Sequence, residues 1–289
     1  MMKNKKSWVI LLALPFILGS CLGKFIEGDV EKSIKDNEKE IDAYVAKSGE
    51  PYIKTDLKIY YQITQENPGG RATGVAYDLD INYKLSTLDG KVIEQKVQSD
   101  STRFSFFLSK GFEGFLRALF TLKEGEKGVF LIPGYLAYQD SPPAGVPNWA
   151  VIRADIEVVK LVSEDDRIDE YVFKKKLTVN EKTASGLRII RLNAENPTGT
   201  AITDKSVVNL KYDGKFLTEK SFNAGTFDLN MGVGQVVAGF EEGVKKLKTG
   251  EKARFVFPSS LGYGTTGTQD GKIPPYTPLM FDIEIVSVK

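Results

Sequence analysis

The stretch "VVAGFEEGVKKLKTGEKARFVFP", Val236 to Pro258, decides the fold. Val236, Val237, Phe240, Val244 and Leu247 recur at helical spacing, with lysines opposite and Gly250 as the stop. The charged turn "TGEK" then leads into "ARFVFP". A matching stretch lies upstream, where Phe112, Phe115, Leu116 and Leu119 precede Gly125 and "EGEKGVFLIP". Around each short helix the chain alternates with period two, the mark of strands. In "LDINYKL", Leu79, Ile81, Tyr83 and Leu85 face one way and Asp80, Asn82 and Lys84 the other; in "FDIEI", Phe281, Ile283 and Ile285 oppose Asp282 and Glu284. This pattern predicts an antiparallel sheet with one wet face, packed on one short amphipathic helix in an α+β domain.

The match extends along the whole chain. "IDAYV" (41–45) recurs as "IDEYV" (168–172), "QENPGG" (65–70) as "AENPTG" (194–199), "INYKL" (81–85) as "NLKYDG" (209–214), and "RADIEVV" (153–159) as "MFDIEIV" (280–286). The markers keep their order at a spacing of about 127 residues, so the chain is a tandem duplication of one domain-sized unit. The expected organisation is a signal segment over 1–21, a charged helical tether over 22–54, a first domain over 55–162, a helical linker over 163–181 and a second domain over 182–289.

Composition narrows the chemistry. The chain has 289 residues and a net charge of +1, which argues against nucleic acid as a partner. It has no histidine, which excludes Ser-His and Cys-His catalysis and most zinc sites, and its one cysteine cannot form an internal disulfide. That cysteine, Cys21, follows three lysines, the apolar run Trp8–Leu18 and two small residues, the layout of a secretory signal. The run is shorter than the ~20 residues a membrane span needs. Leu18-Gly19-Ser20-Cys21 resembles a bacterial lipobox, which implies cleavage before Cys21 and lipidation of its thiol. The expected location is the bacterial cell envelope: a periplasm-facing lipoprotein, with the outer membrane expected to hold the anchor.

The second unit, with its tyrosine strand, "GFEEG" helix, "GEK", "GYG", "IPP" and closing "FDIE" strand, closely resembles the FKBP-type peptidyl-prolyl cis-trans isomerases over about 185–289. The resemblance implies two tandem FKBP-like domains, each a twisted antiparallel sheet wrapped around one short helix, with a shallow aromatic pocket for a proline ring in the second. By matching position the catalytic residues would be Tyr212, Phe222, Val237, Tyr263 and Phe281. Asn223, Phe227, Val236, Phe240 and Ile273 would complete the substrate site, with Phe240 as its floor. In the family, the N–H at Val237's position and the hydroxyl at Tyr263's meet carbonyls of the bound peptide. Tyr263 and Ile273 are expected on opposite sides of the pocket. Three departures stand out: Asn223 replaces the usual aspartate, Phe240 replaces a frequent tryptophan, and the Phe222–Phe227 connection is short.

Such an isomerase needs no cofactor or metal, because no bond is made or broken. The implied substrates are proline-containing segments of envelope proteins; the alternative is a non-catalytic peptide-binding chaperone or scaffold. The first unit retains Tyr83, Phe104, Phe106, Phe115 and Tyr138, but has Ile93 and Ala154 at the positions of Phe222 and Phe281, and "AYQ" for "GYG". Activity is therefore expected in the second domain only, with the first acting as a spacer, a dimerisation surface or a binding module.

Overall fold

The computed structural model describes residues 20–97, 102–105 and 111–289, with the side chains of all of these except 20–29 and 102. The signal segment before Ser20 and Phe106 lie outside the described residues, as does the side chain of Cys21. Among the described residues no helix is long and apolar enough to cross a membrane.

The two units have the same plan. The first begins with helix α1 (Ser20–Ser48), followed by β1 (Ile53–Lys54), β2 (Tyr60–Gln65), β3 (Asp78–Thr87), β4 (Val92–Lys96) and β5 (Thr102–Phe104). It closes with α2 (Glu113–Thr121), β6 (Lys127–Ile132) and β7 (Ile152–Val162). The second runs α3 (Glu164–Lys174), β8 (Glu181–Lys182), β9 (Arg188–Arg191), β10 (Val207–Phe216), β11 (Ser221–Asn230), α4 (Ala238–Val244), β12 (Lys252–Phe257) and β13 (Leu279–Val288). Both sheets are antiparallel. Their orders correspond: β1-β2-β6-β7-β3-β4, with β5 also on β3, and β11-β10-β13-β12-β9-β8.

Each sheet curls around its short helix. Leu210, Phe255, Phe257, Leu279, Ile283 and Ile285 bury their side chains with Phe240, Val244 and Leu247. Helix α4 stops at Val244, earlier than the apolar spacing predicts. The segment up to Leu247 tightens into three-residue turns, with the Lys246 and Leu247 N–H groups bonding Gly243 and Val244. Its two glycines let the backbone rest on the strand behind. A Cβ at Gly239 would come within 2.7 Å of the Phe257 ring, and one at Gly243 within 2.6 Å of Phe255.

The repeated "ENP" and "GEK" motifs have a structural role. In the second domain the Asn196 amide donates to the Thr249 carbonyl. The buried Glu251 carboxylate accepts from the N–H groups of Asn196 and Lys248 and from Arg191. Burial pushes this carboxyl up, but those donors outweigh it and hold it below the ordinary range. Asn67 and Glu126 repeat the arrangement in the first domain.

The back of each sheet departs from the expected wet face. Helix α3 lays Ile168 and Tyr171 on Ile190, Val256 and Met280, and α1 lays Ile41 on Tyr60, Val129, Leu131 and Val151. Met280 is therefore buried on the face that alternation assigns to water. The charged segments before each sheet carry only this narrow apolar stripe.

Helix α3 starts with a capping box, Ser163 accepting from the Asp166 N–H and Asp166 from that of Ser163. Its other two leading acids reach the second sheet: Glu164 accepts from Ser259, and Asp165 with Asp169 pairs the buried Arg188.

Candidate functional site

On the front of the second domain, three strands and the start of α4 enclose a cavity of about 270 Å³. Tyr212 comes from β10, Phe222, Asn223 and Phe227 from β11, and Phe281 from β13. Gln235, Val236 and Val237 supply the approach to α4, Phe240 its first turn, and Tyr263 the loop after β12. Nine of the ten residues expected from sequence are thus brought together around one space.

Ile273 is not brought to the cavity wall. It is 4% exposed and packs into the domain core, while its loop is closed by hydrogen bonds between its backbone and Thr268. Gln235 was not expected. Its side chain accepts from the Asn230 N–H at 2.7 Å, fixing the turn from β11 toward α4, and no residue-type signal marks it in the sequence.

The rings form a framed floor. Phe240, 2% exposed, has Phe281 edge-on at 5.1 Å and 86°, Tyr212 at 6.2 Å and 80°, and Phe227 tilted at 6.3 Å. Tyr212 meets Phe227 edge-on at 5.5 Å, and Phe222 meets Phe281 at 5.7 Å and 87°. Behind Phe281, Phe257 stacks at 5.7 Å and 11°. Edge-to-face pairs at these separations are favourable, so the rings brace one another around the cavity. The short Phe222–Phe227 connection is no loop: β11 runs unbroken, with Asn223 opposite Gly214 and Phe227 opposite Leu210.

Two polar groups stand at the rim. Val237 is the N-cap of α4 in extended conformation, and its carbonyl accepts from Phe240 and Glu241. The amides that open a helix have no partner within it, so its N–H is not consumed by the helix. Tyr263, 37% exposed, is the most open aromatic of the set.

The first domain keeps the frame and changes the contents. Tyr83, Phe104, Phe112 and Phe115 form the corresponding ring cluster, with Tyr83 on Phe115 at 5.3 Å. Phe112 is the N-cap of α2, the place of Val237, and its ring meets Tyr138, the counterpart of Tyr263, at 5.0 Å. The space between helix start and rim tyrosine is therefore taken by a side chain. Behind it, Ala154 pairs with Leu85 on β3 where Phe281 pairs with Gly214 on β10. Tyr83 donates to Glu94 at 2.8 Å, and burial with that bond holds its phenol well above the ordinary range.

The family model for FKBP-type peptidyl-prolyl cis-trans isomerases matches residues 72–159 and 199–286. Peptidyl-prolyl cis-trans isomerase FKBP9 of Bos taurus is 27% identical over 245 residues, covering 81% of this chain and 38% of the relative. This chain thus spans well under half the length of that relative. FK506-binding protein 1 of Candida glabrata is 34% identical over 115 residues, 38% of this chain and 99% of its own. Among solved structures, the three FKBP domains of wheat FKBP73 align with 81% of this chain and 96% of theirs, at 21% identity and a TM-score of 0.40. The two family matches take in over half of the 289 residues, one in each sheet, so the chain belongs to the FKBP-type peptidyl-prolyl cis-trans isomerases and carries the family's domain twice.

Proposed function

We propose that the second domain isomerises X–Pro bonds in extended polypeptide segments, and that the first domain keeps the frame without the catalytic pocket. The observation that carries this reading is the aromatic cavity whose lining also includes Val237, at the helix start with its N–H not consumed by the helix, and Tyr263. Rotation about an X–Pro bond crosses a barrier of ~18–20 kcal/mol, because the planar amide is held by resonance. In the twisted transition state that resonance is lost and the carbonyl becomes less polar. A cavity walled by Phe222, Phe227, Phe240 and Phe281 disfavours the polar planar amide more than the twisted one. Hydrogen bonds from Val237 and Tyr263 to flanking carbonyls would hold the segment while the proline ring stays on Phe240. A 10⁴-fold acceleration requires only ~5–6 kcal/mol of such selectivity.

The test is exchange NMR on the full chain with a short proline peptide. Cis–trans exchange cross-peaks at substoichiometric protein support catalysis. Peptide binding without such exchange would leave the non-catalytic chaperone reading in its place.

For the clients and the setting, we propose proline-containing proteins of a bacterial cell envelope, with the chain anchored through lipidated Cys21. The support is the lysine-led apolar run ending in Leu18-Gly19-Ser20-Cys21. Cys21→Ser should shift the protein from the membrane to the soluble fraction on cell fractionation; a variant that stays with the membrane contradicts the anchor.

A further inference from the structure

The loop that presents Tyr263 is closed by a circuit of hydrogen bonds. The Gly264 N–H bonds the Ser259 carbonyl at 2.8 Å, and the Tyr276 N–H bonds the Gly264 carbonyl at 3.1 Å. Tyr263 lies inside this circuit, next to Gly264. Both ends of the circuit are held from behind the sheet by α3. Glu164 accepts from the Ser259 N–H at 2.6 Å and from its hydroxyl at 2.7 Å, and Arg167 donates to the Tyr276 carbonyl.

The first domain holds the same two backbone atoms by other means. Gly134 and Trp149 take the places of Ser259 and Tyr276, and Trp149 shares with Tyr276 a left-handed backbone, φ 60° against 52°. On α1, the Asn37 carbonyl oxygen accepts from the Gly134 N–H at 2.8 Å, and its amide donates to the Trp149 carbonyl at 3.0 Å. Asn37, at 5% exposed, thus does alone what Glu164 and Arg167 divide between them. Two unrelated sets of side chains serving one pair of atoms mark the pinning as a requirement of the loop.

The division in the second domain has a consequence. The Arg167 guanidinium also donates to Asp78 at 3.2 Å, and Asp78 opens β3 of the first domain. Both side chains are largely shielded, at 16% and 11% exposed. The bridge is thus held in a setting where ion pairs are geometrically strict.

We propose that Glu164 and Arg167 are positioning residues for Tyr263, and that the first domain takes part in the second domain's site through Asp78. This rests on the isomerase reading above. Neither side chain lines the cavity; they act by fixing the loop that aims the tyrosine. A displacement of about 1 Å in such a group can cost on the order of 10²-fold in rate.

The experiment uses the full chain with Glu164→Ala, Glu164→Gln, Asp78→Ala and Asp169→Ala. It reads kcat and KM on a proline peptide together with amide hydrogen exchange at Gly264 and Tyr276. Glu164→Ala should speed exchange at both amides and lower kcat/KM roughly tenfold. Glu164→Gln, which keeps an acceptor for the Ser259 N–H as Asn37 does for Gly134, should restore most of both. Asp78→Ala, in the other domain, should lower kcat/KM about threefold and speed exchange at Tyr276 more than at Gly264. Asp169→Ala breaks a different α3 contact, the pair with Arg188, and should leave exchange at both amides unchanged. Wild-type exchange and kinetics in both Glu164→Ala and Asp78→Ala would overturn the proposal. If the wild-type chain shows no isomerisation, the isomerase reading fails, and faster exchange in Glu164→Ala still establishes the pinning.

Discussion

Phe281→Ala is expected to lower the isomerase rate of the full chain by about a hundredfold, the largest effect of any single change in the cavity. Its ring faces Phe222 and Phe240 edge-on and stacks on Phe257, so it forms one wall and also braces the floor. Truncating a buried phenylalanine removes about 3 kcal/mol or more of contact, and each 1.36 kcal/mol lost at the transition state is a factor of ten. The same truncation should cost the domain about 3–5 kcal/mol of stability. Rates must therefore be compared below the onset of unfolding followed by circular dichroism. Near wild-type kcat/KM in folded Phe281→Ala would place the active cavity elsewhere.

The second large effect separates stability from activity. Opposite Phe281 on β10 stands Gly214, where a Cβ would come within 2.7 Å of the Phe281 ring and 2.8 Å of Phe222. The first domain reverses the sizes, with Leu85 opposite Ala154, both buried. Gly214→Leu alone should overpack the front of the domain and cost about 1–3 kcal/mol or more. In the double variant Gly214→Leu/Phe281→Ala, the leucine enters the volume the phenylalanine leaves. Urea denaturation should then find the double variant about 1–2 kcal/mol more stable than the sum of the single effects predicts. Its isomerase activity should stay lost, because the aromatic wall is gone. Strict additivity would refute the exchange of volumes between the strands. Recovery of activity would refute the role of Phe281 as a wall.

Much of this was legible in the residues themselves. The duplication appeared in five paired markers, and the inward faces of β3 and β13 in their alternation. The cavity residues came from the resemblance by matching position, and the match held on regular elements: strand positions for Tyr212, Phe227 and Phe281, and the helix start for Val237 and Phe240. Ile273 fell outside it because it sits in an aperiodic loop, where no period tells which way a side chain turns. The pairing of Gly214 with Phe281 depends on cross-strand register, which one strand's pattern does not contain. Ala154 marked the altered first domain in sequence, but the closure by Phe112 did not. An apolar residue before a helix reads the same whether it fills a space or borders one.

The backs of the sheets were the least legible part. A helix as charged as "SEDDRIDEYVFKKK" reads as solvated, and only Ile168 and Tyr171, three residues apart, betray the face that packs. The recurrence of "IDAYV" and "IDEYV" was visible, but its meaning required Val129 and Leu131 on one sheet and Val256 and Met280 on the other. The acids at the head of α3 likewise look alike in sequence. In space Glu164 supports the Tyr263 loop, Asp165 pairs Arg188 and Asp166 caps the helix.

The central claim, an isomerase site in the second domain alone, is tested most directly by exchange NMR on the full chain with a proline peptide, reading catalysed exchange and backbone shifts together. The account predicts cis–trans exchange cross-peaks at substoichiometric protein, with the largest shift changes at Val237 and in the loop around Tyr263. It predicts no comparable changes at Phe112 and Tyr138. Absence of exchange, or exchange accompanied by shifts centred on Phe112 and Tyr138, would contradict it.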